Sequence, residues 1–274
     1  MGWQACYPEG KRAALTFSYD DGQVHDRRLV GLLNRYALKG TFHLNSATLG
    51  HDGFVTSGEV SALYAGHEVA CHGKHHHYLT HLTAEQLVHE LWEDRRSLES
   101  ISNYPVTGLS YAFGVYSDEV IRTAQTLGFE YARTVDSTGS FLAEHDFMRW
   151  KPTCHHHDAA DCTKQFIAPR EFERLRLFYI WGHSYEFERD NNWQEFERLC
   201  ETLAFRDDVW YATNIEIKRY LCAVRALIST ADNTAVYNPS AQTVSIDAGG
   251  IYTIAPGQTL HLAQKTANSN DYQS

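Results

Sequence analysis

From residue 12 to about 229, short apolar runs alternate with stretches whose apolar positions recur every three or four residues. "RAALTFSYD", "KGTFHLN", "HEVACHG", "GLSYAF", "YARTV", "RLRLFYIWGH" and "VWYAT" read as strands, several of them continuously apolar, as strands covered on both faces are. Between them, Leu29, Leu32, Leu33 and Tyr36 fall at helical spacing, and "SGEVSALYAG" predicts a short helix from Ser57 to Gly66. Thr83 with Gln86 three residues on forms a capping box that predicts a long helix. "SDEVIRTAQTLG", "NWQEFERLCETLAF" and "NIEIKRYLCAVRALIS" complete the helical set. Repeated β-α alternation argues for a parallel sheet, open or closed as a barrel. After about 230 the texture changes: Asn-Pro, Gly-Gly and Pro-Gly turns separate short alternating runs, which predicts a small antiparallel β appendage. The expected division is therefore 1–230 for the catalytic barrel and 231–274 for the appendage, whose last ten residues, "KTANSNDYQS", are polar and expected to fray.

In parallel β/α folds the chemistry gathers at the C-terminal ends of strands. "LTFSYDDG" ends a strand on two adjacent carboxylates, Asp20 and Asp21. Like charges side by side resist burial, so the pair needs either solvent or a job. The third strand runs into "CHGKHHHYLTH", where His72 and His76 are four apart, as are His77 and His81. A spacing of four brings two imidazoles to one side of a turn, as a metal pair requires. His183 ends a further strand. One carboxylate and two imidazoles form a three-ligand set with coordination positions left for water, and the spare carboxylate is then placed to accept a proton. His77 and His81 are read as surface or packing residues.

Composition narrows the function classes. Net charge is −10 with His neutral and no basic run appears, so neither nucleic acid nor an anionic membrane is an expected partner. No segment approaches the ~18 apolar residues of a membrane helix. "MGWQACYPEGKR" lacks the apolar stretch of a signal peptide, so a cytoplasmic location is expected unless a leader was trimmed. The six cysteines show no CxxC pair, so neither a disulfide framework nor a cysteine zinc site is expected, Cys154 with Cys162 included.

"TFSYDDG" resembles the first motif of the polysaccharide deacetylases of the NodB-homology type, carbohydrate esterase family 4, with Ser-Tyr inserted into the family's Thr-Phe-Asp-Asp-Gly run. "HGKHH" resembles the second motif, His-Ser/Thr-x-x-His, with Gly73 in the small-residue slot. The resemblance spans roughly residues 12 to 225. It implies an α/β fold, a distorted (β/α) barrel of the NodB type, here followed by the small C-terminal antiparallel β appendage. It also implies a metal-dependent hydrolase that removes an N-acetyl (or O-acetyl) group from a sugar or oligosaccharide, with zinc the leading cofactor and nickel, cobalt or manganese as alternatives. By position, Asp20 would be the general base, Asp21, His72 and His76 the metal ligands, and His183 the general acid. Trp181 would wall the acetyl pocket.

The third motif departs from the family. Arg-x-Pro-Tyr/Phe-Gly aligns on Ser110, Tyr111, Ala112, Phe113 and Gly114, so the arginine that orients the catalytic Asp is missing. "YARTVD" is expected to pair beside "GLSYAF", which would let Arg133 reach Asp20 from the next strand. Tyr111, Phe113, Trp181, His155 and His156 are the expected substrate-binding residues. "WKPTCHHHD", residues 150–158, has no motif counterpart and reads as a substrate loop, a second metal site or a surface cluster. The acid that tunes the catalytic histidine is not recognisable; Asp136 and Glu186 are candidates. Two other functions stay open at this stage: an amidohydrolase of the same fold acting on a non-sugar amide, and a catalytically dead carbohydrate-binding module. Oligomerisation through the C-terminal β segment is also open.

Overall fold

A computed structural model of the protein describes residues 2–143, 145–168 and 174–262. It divides into two compact units, one of residues 11–218 and the other of the described residues among 1–10 and 219–274.

The larger unit is built on one parallel sheet. Strand β1 (Gln4–Cys6) belongs to the smaller unit. The larger one then runs β2 (Ala13–Asp21), α1 (Asp26–Arg35), β3 (Gly40–Leu44), α2 (Ser57–Leu63), β4 (Glu68–Cys71), α3 (Ala84–Ser102), β5 (Gly108–Ser110), α4 (Asp118–Thr126), β6 (Tyr131–Arg133), β7 (Cys154–His155), α5 (Ala159–Ile167), β8 (Arg176–His183), α6 (Ser184–Arg189), α7 (Trp193–Leu203), β9 (Val209–Tyr211) and the start of α8 (Asn214–Arg225). The spatial order is β6-β5-β4-β3-β2-β8-β7, with β9 also pairing β2. All pairings in this sheet are parallel. β2, β3 and β4 are buried almost throughout, which accounts for their continuous apolar reading.

The sheet curls. Segment 150–155 touches both of its edges: the Trp150 N–H donates to Ala132 O of β6, and Cys154–His155 pair with Ile180–Trp181 of β8. The two edges are thereby joined by one stretch of chain, the arrangement of a distorted (β/α) barrel. The sequence offers 150–158 as a substrate loop, a second metal site or a surface cluster; in the structure its Cys154–His155 form β7, too short a strand to announce itself by periodicity. Helices α5 and α6 also went unread, because each is brief, α5 following the His-rich 155–157 and α6 following β8 without a break.

At the strands' N-terminal end a polar network fills the barrel. Thr16 Oγ1 donates to Asn214 Oδ1 (3.0 Å), Asn214 Nδ2 to Tyr179 Oη (2.6 Å), and the Asn214 N–H to Thr41 Oγ1 (2.9 Å). Buried Glu68 accepts from Tyr131 Oη (2.8 Å), Thr41 Oγ1 (2.9 Å) and the Ile215 N–H (2.9 Å). The first turn of α8 is thus tied to four strands, β2, β3, β4 and β8, inside the core.

The smaller unit holds two three-stranded antiparallel sheets. One pairs β1, β12 (Val244–Asp247) and β13 (Ile251–Ile254); the other pairs β10 (Ile228–Ser229), β11 (Ala235–Tyr237) and β14 (Thr259–His261). Val236, Ile246 and Ile254 form its core, with Trp3 packed against them. The antiparallel appendage is present as read, but the chain divides near Arg219 rather than 230, and the first ten residues join the appendage because Gln4–Cys6 pairs with Ser245–Asp247. The expected frayed tail, 265–274, lies outside the described residues.

Candidate active site

Four strand ends deliver the chemistry-bearing side chains. Asp20 and Asp21 close β2, with Asp20 in register with His43 of β3 on one side and His183 of β8 on the other. His72 follows β4 directly. The chain then leaves the sheet sharply. Asp21 (φ 80) and His76 (φ 58) both sit in the left-handed region that non-glycine residues avoid, a strain that surrounding contacts must hold. Gly22 (φ 70) has a second reason to be glycine: a Cβ there would lie 2.8 Å from Leu44 Cδ2.

Asp21, His72 and His76 converge, with their ligand atoms within 4.8 Å of one another. His72 Nε2 and His76 Nε2 each lie 3.7 Å from Asp21 Oδ1. His72 Nδ1 is 3.0 Å from Ser110 O, an acceptor only, so the ring proton sits on Nδ1 and the Nε2 lone pair faces Asp21. Burial pushes the His72 imidazole down to about 3 against the pull of Asp20, so it is neutral, as a ligand must be. Burial, opposed by His183, raises the Asp21 carboxyl. A partly buried acid beside two imidazoles is a donor set that fits a divalent cation.

Asp20 is the most heavily held carboxylate in the cluster, at 2% exposure. Arg133 Nη2 donates to its Oδ2 as a buried ion pair. Ser110 Oγ donates to Oδ1 (3.2 Å), and His43 Nδ1 lies 3.4 Å from the same oxygen. Burial alone would raise this carboxyl; Arg133 first, then His72 and His43, override it and hold it well below the usual range. Arg133 is itself fully buried, bonds Thr134 O through Nη1 (3.1 Å), and lies 4.7 Å above the Trp181 ring. The arginine missing from β5 is therefore supplied from β6.

His183 meets Glu186 one turn into α6. The Glu186 Oε2 atom accepts the His183 backbone N–H (3.1 Å) and lies 3.4 Å from His183 Nδ1. The same oxygen is 3.1 Å from His155 Nε2 and 3.5 Å from His156 Nε2. Burial would lower the His183 imidazole, but Glu186, Asp20 and Asp21 outweigh it and raise it. Of the two candidate tuning acids, Glu186 contacts His183; Asp136 is exposed on the loop after β6.

Two expected substrate-binding side chains are core residues instead. Tyr111 is 1% exposed, its hydroxyl donates to Met148 O (2.8 Å), and its ring stacks on Tyr116. The His156 ring is buried between Tyr19 (5.8 Å) and Phe187 (4.2 Å) against Gly182, where any Cβ would strike it at 2.0 Å. The turn after β5 explains the first: Phe113 takes a left-handed conformation (φ 59) there, so its ring does not follow Tyr111 into the core. Phe113 is 47% exposed, 4.4 Å from the His76 ring and 3.9 Å from Tyr78, and Trp181 is half-buried between His155 and His183. His77 and His81 stay apart from the three-residue cluster: His77 leans on Glu90 (3.5 Å) and His81 stacks on Tyr78.

Sequence reasoning missed His43, Asn45, Glu90 and Asp94. His43 had a signal, an imidazole in an otherwise apolar buried strand. Asp94 had another, since Leu87, Leu91, Asp94 and Leu98 share one buried helix face. A polar residue in such a row has a buried partner to satisfy.

Residues 7–132 match the family model described as polysaccharide deacetylase. A protein of Bacillus subtilis (strain 168) named for the polysaccharide deacetylases, YxkH, is 24% identical over 131 residues, 47% of this chain and 46% of that protein. The chain thus spans about half the length of the curated relative it matches. A Mycobacterium smegmatis structure named for polysaccharide deacetylases superposes with a TM-score of 0.60 at 17% identity, over 81% of this chain and 95% of the other. The Xyl-CE4 domain of a multidomain xylanase from the hindgut metagenome of Trinervitermes trinervoides gives 0.52 at 15%, over 76% and 89%. Both likenesses concern the fold, and over residues 7–132, just under half of its length, this chain is similar in sequence to the polysaccharide deacetylases.

Proposed function

We propose that the protein is a metal-dependent deacetylase hydrolysing an N-acetyl (or O-acetyl) group of a sugar or oligosaccharide. What carries this reading is one juxtaposition: a two-imidazole, one-carboxylate set beside a second carboxylate locked by Arg133. A divalent cation bound by Asp21, His72 and His76 would supply an electrophile that lowers a water's pKa and polarises the acetyl carbonyl. Zinc suits this donor set, and nickel, cobalt or manganese also fit.

The remaining chemistry is the chain's own. Asp20, ionised and aimed by Arg133 and Ser110, accepts the proton of the attacking water. His183, held by Glu186 through Nδ1 and raised by its acidic neighbours, which favour the charged form, presents Nε2 to the leaving nitrogen and protonates it. His72 is kept in its ligating tautomer by Ser110 O. Phe113 and Trp181 flank the position of the acetylated ring, Trp181 steadied by its N–H to Ser137 Oγ (3.3 Å). The missing arginine was one of the grounds for the non-sugar alternative, and Arg133 on Asp20 weighs against that one. A binding module without activity would have no need of a buried Asp-Arg pair, which is costly to desolvate.

The test is acetate release from N-acetylated chito-oligosaccharides by the protein loaded with zinc, cobalt, nickel or manganese, beside a panel of cyclic amides and formamides. Turnover on the sugars that chelation abolishes and metal restores is expected. Activity confined to the non-sugar amides, or unchanged by chelation that strips the metal, would refute the reading.

A further inference from the structure

Helix α3 carries two acids one turn apart, Glu90 and Asp94, both facing inward although they share the helix with Leu87, Leu91 and Leu98. Asp94 is fully buried: its Oδ2 accepts the His72 N–H (3.1 Å), which it shares with Leu44 O (3.0 Å), and its Oδ1 accepts the Ser46 N–H (2.8 Å). Glu90 is 3% exposed: its Oε1 accepts the His75 N–H (2.6 Å) and its Oε2 meets His75 Nδ1 (2.8 Å). Residues four apart on a helix stand about 6 Å apart on one face, a match for two backbone amides three residues apart on a loop. Asn45, at the end of β3, holds the same loop from the carbonyl side, donating to His72 O (2.9 Å) and Gly73 O (2.6 Å).

These contacts bracket the two histidines of the candidate cation site. Asp94 fixes the amide of the first, and Glu90 fixes the amide next to the second, where His76 takes its left-handed conformation. Gly73 (φ +79) leaves room for Glu90, because a Cβ there would lie 3.3 Å from Oε1. Burying two carboxylates is costly unless each finds strong donors, and leucine would fill the same helix positions without that cost. The acids are therefore explained by the loop they hold and not by the core they sit in.

We propose that Glu90 and Asp94 are positioning residues that pre-form the metal-binding loop, holding residues 72–76 so that both imidazoles meet Asp21 and raising cation affinity without touching the cation. The inference rests on the reading of Asp21, His72 and His76 as a cation site. Its test is the dissociation constant for Zn²⁺ and for Co²⁺, by competition with a chromophoric chelator, for the wild-type chain, Glu90→Gln, Asp94→Asn and Asp21→Ala. The melting temperature of each metal-free protein is measured beside it. Wild type should bind one ion tightly, Asp21→Ala should abolish binding, and each amide variant should weaken it by about 10- to 100-fold. Gln keeps the shape and one acceptor of Glu90, so that variant remains readable even if Asp94→Asn fails to fold. Wild-type chain that binds neither ion would overturn the site reading and this inference with it. Tight wild-type binding with both variants within twofold, whether or not their metal-free melting temperatures fall, would overturn the inference alone.

Discussion

Arg133→Met should be among the most damaging single changes in the barrel, and its cost should depend on pH. The substitution roughly keeps volume and removes the guanidinium that pairs with Asp20. Both partners are almost fully buried, at 0% and 2% side-chain exposure, so solvent cannot replace the lost charge. Breaking such a pair from one side typically costs about 3–5 kcal/mol, because an uncompensated buried charge remains. The lost contact with the Trp181 face adds about 0.5–1 kcal/mol or more. For a chain of this size, about 2–4 °C per kcal/mol gives a drop in Tm of about 7–24 °C at neutral pH. The sign with pH follows from Asp20. In wild type its carboxyl is held well below the usual range, so its stabilisation is present above the unfolded pKa and is lost only as pH falls through the lower folded value. Without Arg133, burial dominates and raises the carboxyl, so the variant's deficit should be large at pH 7 and shrink toward pH 4, where Asp20 takes up a proton. Arg133→Lys should recover part of the stability but little turnover, since a point charge cannot donate to Asp20 and Thr134 O together. Calorimetry from pH 4 to 8, with kcat/KM of the metal-loaded protein, makes the measurement. A deficit equal at all pH values, or Arg133→Lys with wild-type turnover, would refute this account.

Three further outcomes are expected. Asp20→Asn should retain its metal while kcat falls by about 10²-fold or more, since it removes proton transfer from an otherwise intact site; metal analysis beside kinetics checks both halves. Glu186→Gln should lower the His183 imidazole, which Glu186 helps to raise, and so move the alkaline limb of the kcat/KM profile to lower pH, with an unmoved limb assigning the general acid elsewhere. Glu68, raised to about 7 by burial, is destabilising when ionised, so its contribution should be lost as pH climbs from about 4.5 to 7, and the fall in Tm over that window should flatten in Glu68→Gln.

The parts of this molecule legible in the sequence are those that obey a period or a spacing. β2 and β8 are long enough to show as apolar runs, α1 and α4 bury one clear stripe, and the four-residue step from His72 to His76 shows in one dimension what it does in three. Illegible parts depend on contacts between distant residues. β7 is two residues long and exists because β8 offers it partners. The first ten residues carry no signal for the unit they join, since that depends on β12, some 240 positions away. Tyr111 was misassigned because motif alignment gives an address and not a direction, and the turn after β5 sends that ring into the core. Glu90 looks like an ordinary helix acid until the loop it grips is folded against it, whereas Asp94 stands in a row of leucines.

The displaced arginine shows how a site can keep its geometry while its sequence motif fails. Ser110 and Arg133 are direct partners in the β5–β6 pairing, so moving the guanidinium from one position to the other shifts its origin sideways by one strand, about 4.8 Å. An arginine side chain is long enough to absorb that shift, provided it runs through the interior, and Arg133 does so at 0% exposure. The exchange also frees the β5 position for a short side chain. Ser110 then works from where the arginine would have stood: its hydroxyl donates to Asp20, lies 2.6 Å from His72 Nδ1, and its carbonyl holds the same imidazole. One position thereby links the candidate base to a candidate metal ligand, a coupling an arginine there would block with its own bulk. Restoring the motif with Ser110→Arg should consequently not rescue Arg133→Met. The new guanidinium would enter a fully buried 0% site already filled by His72 and Asp20 and would break the Ser110 bonds, so the double variant should bind metal more weakly than Arg133→Met alone. A double variant that regained both metal affinity and turnover would show that the two positions are interchangeable and that Ser110 links nothing.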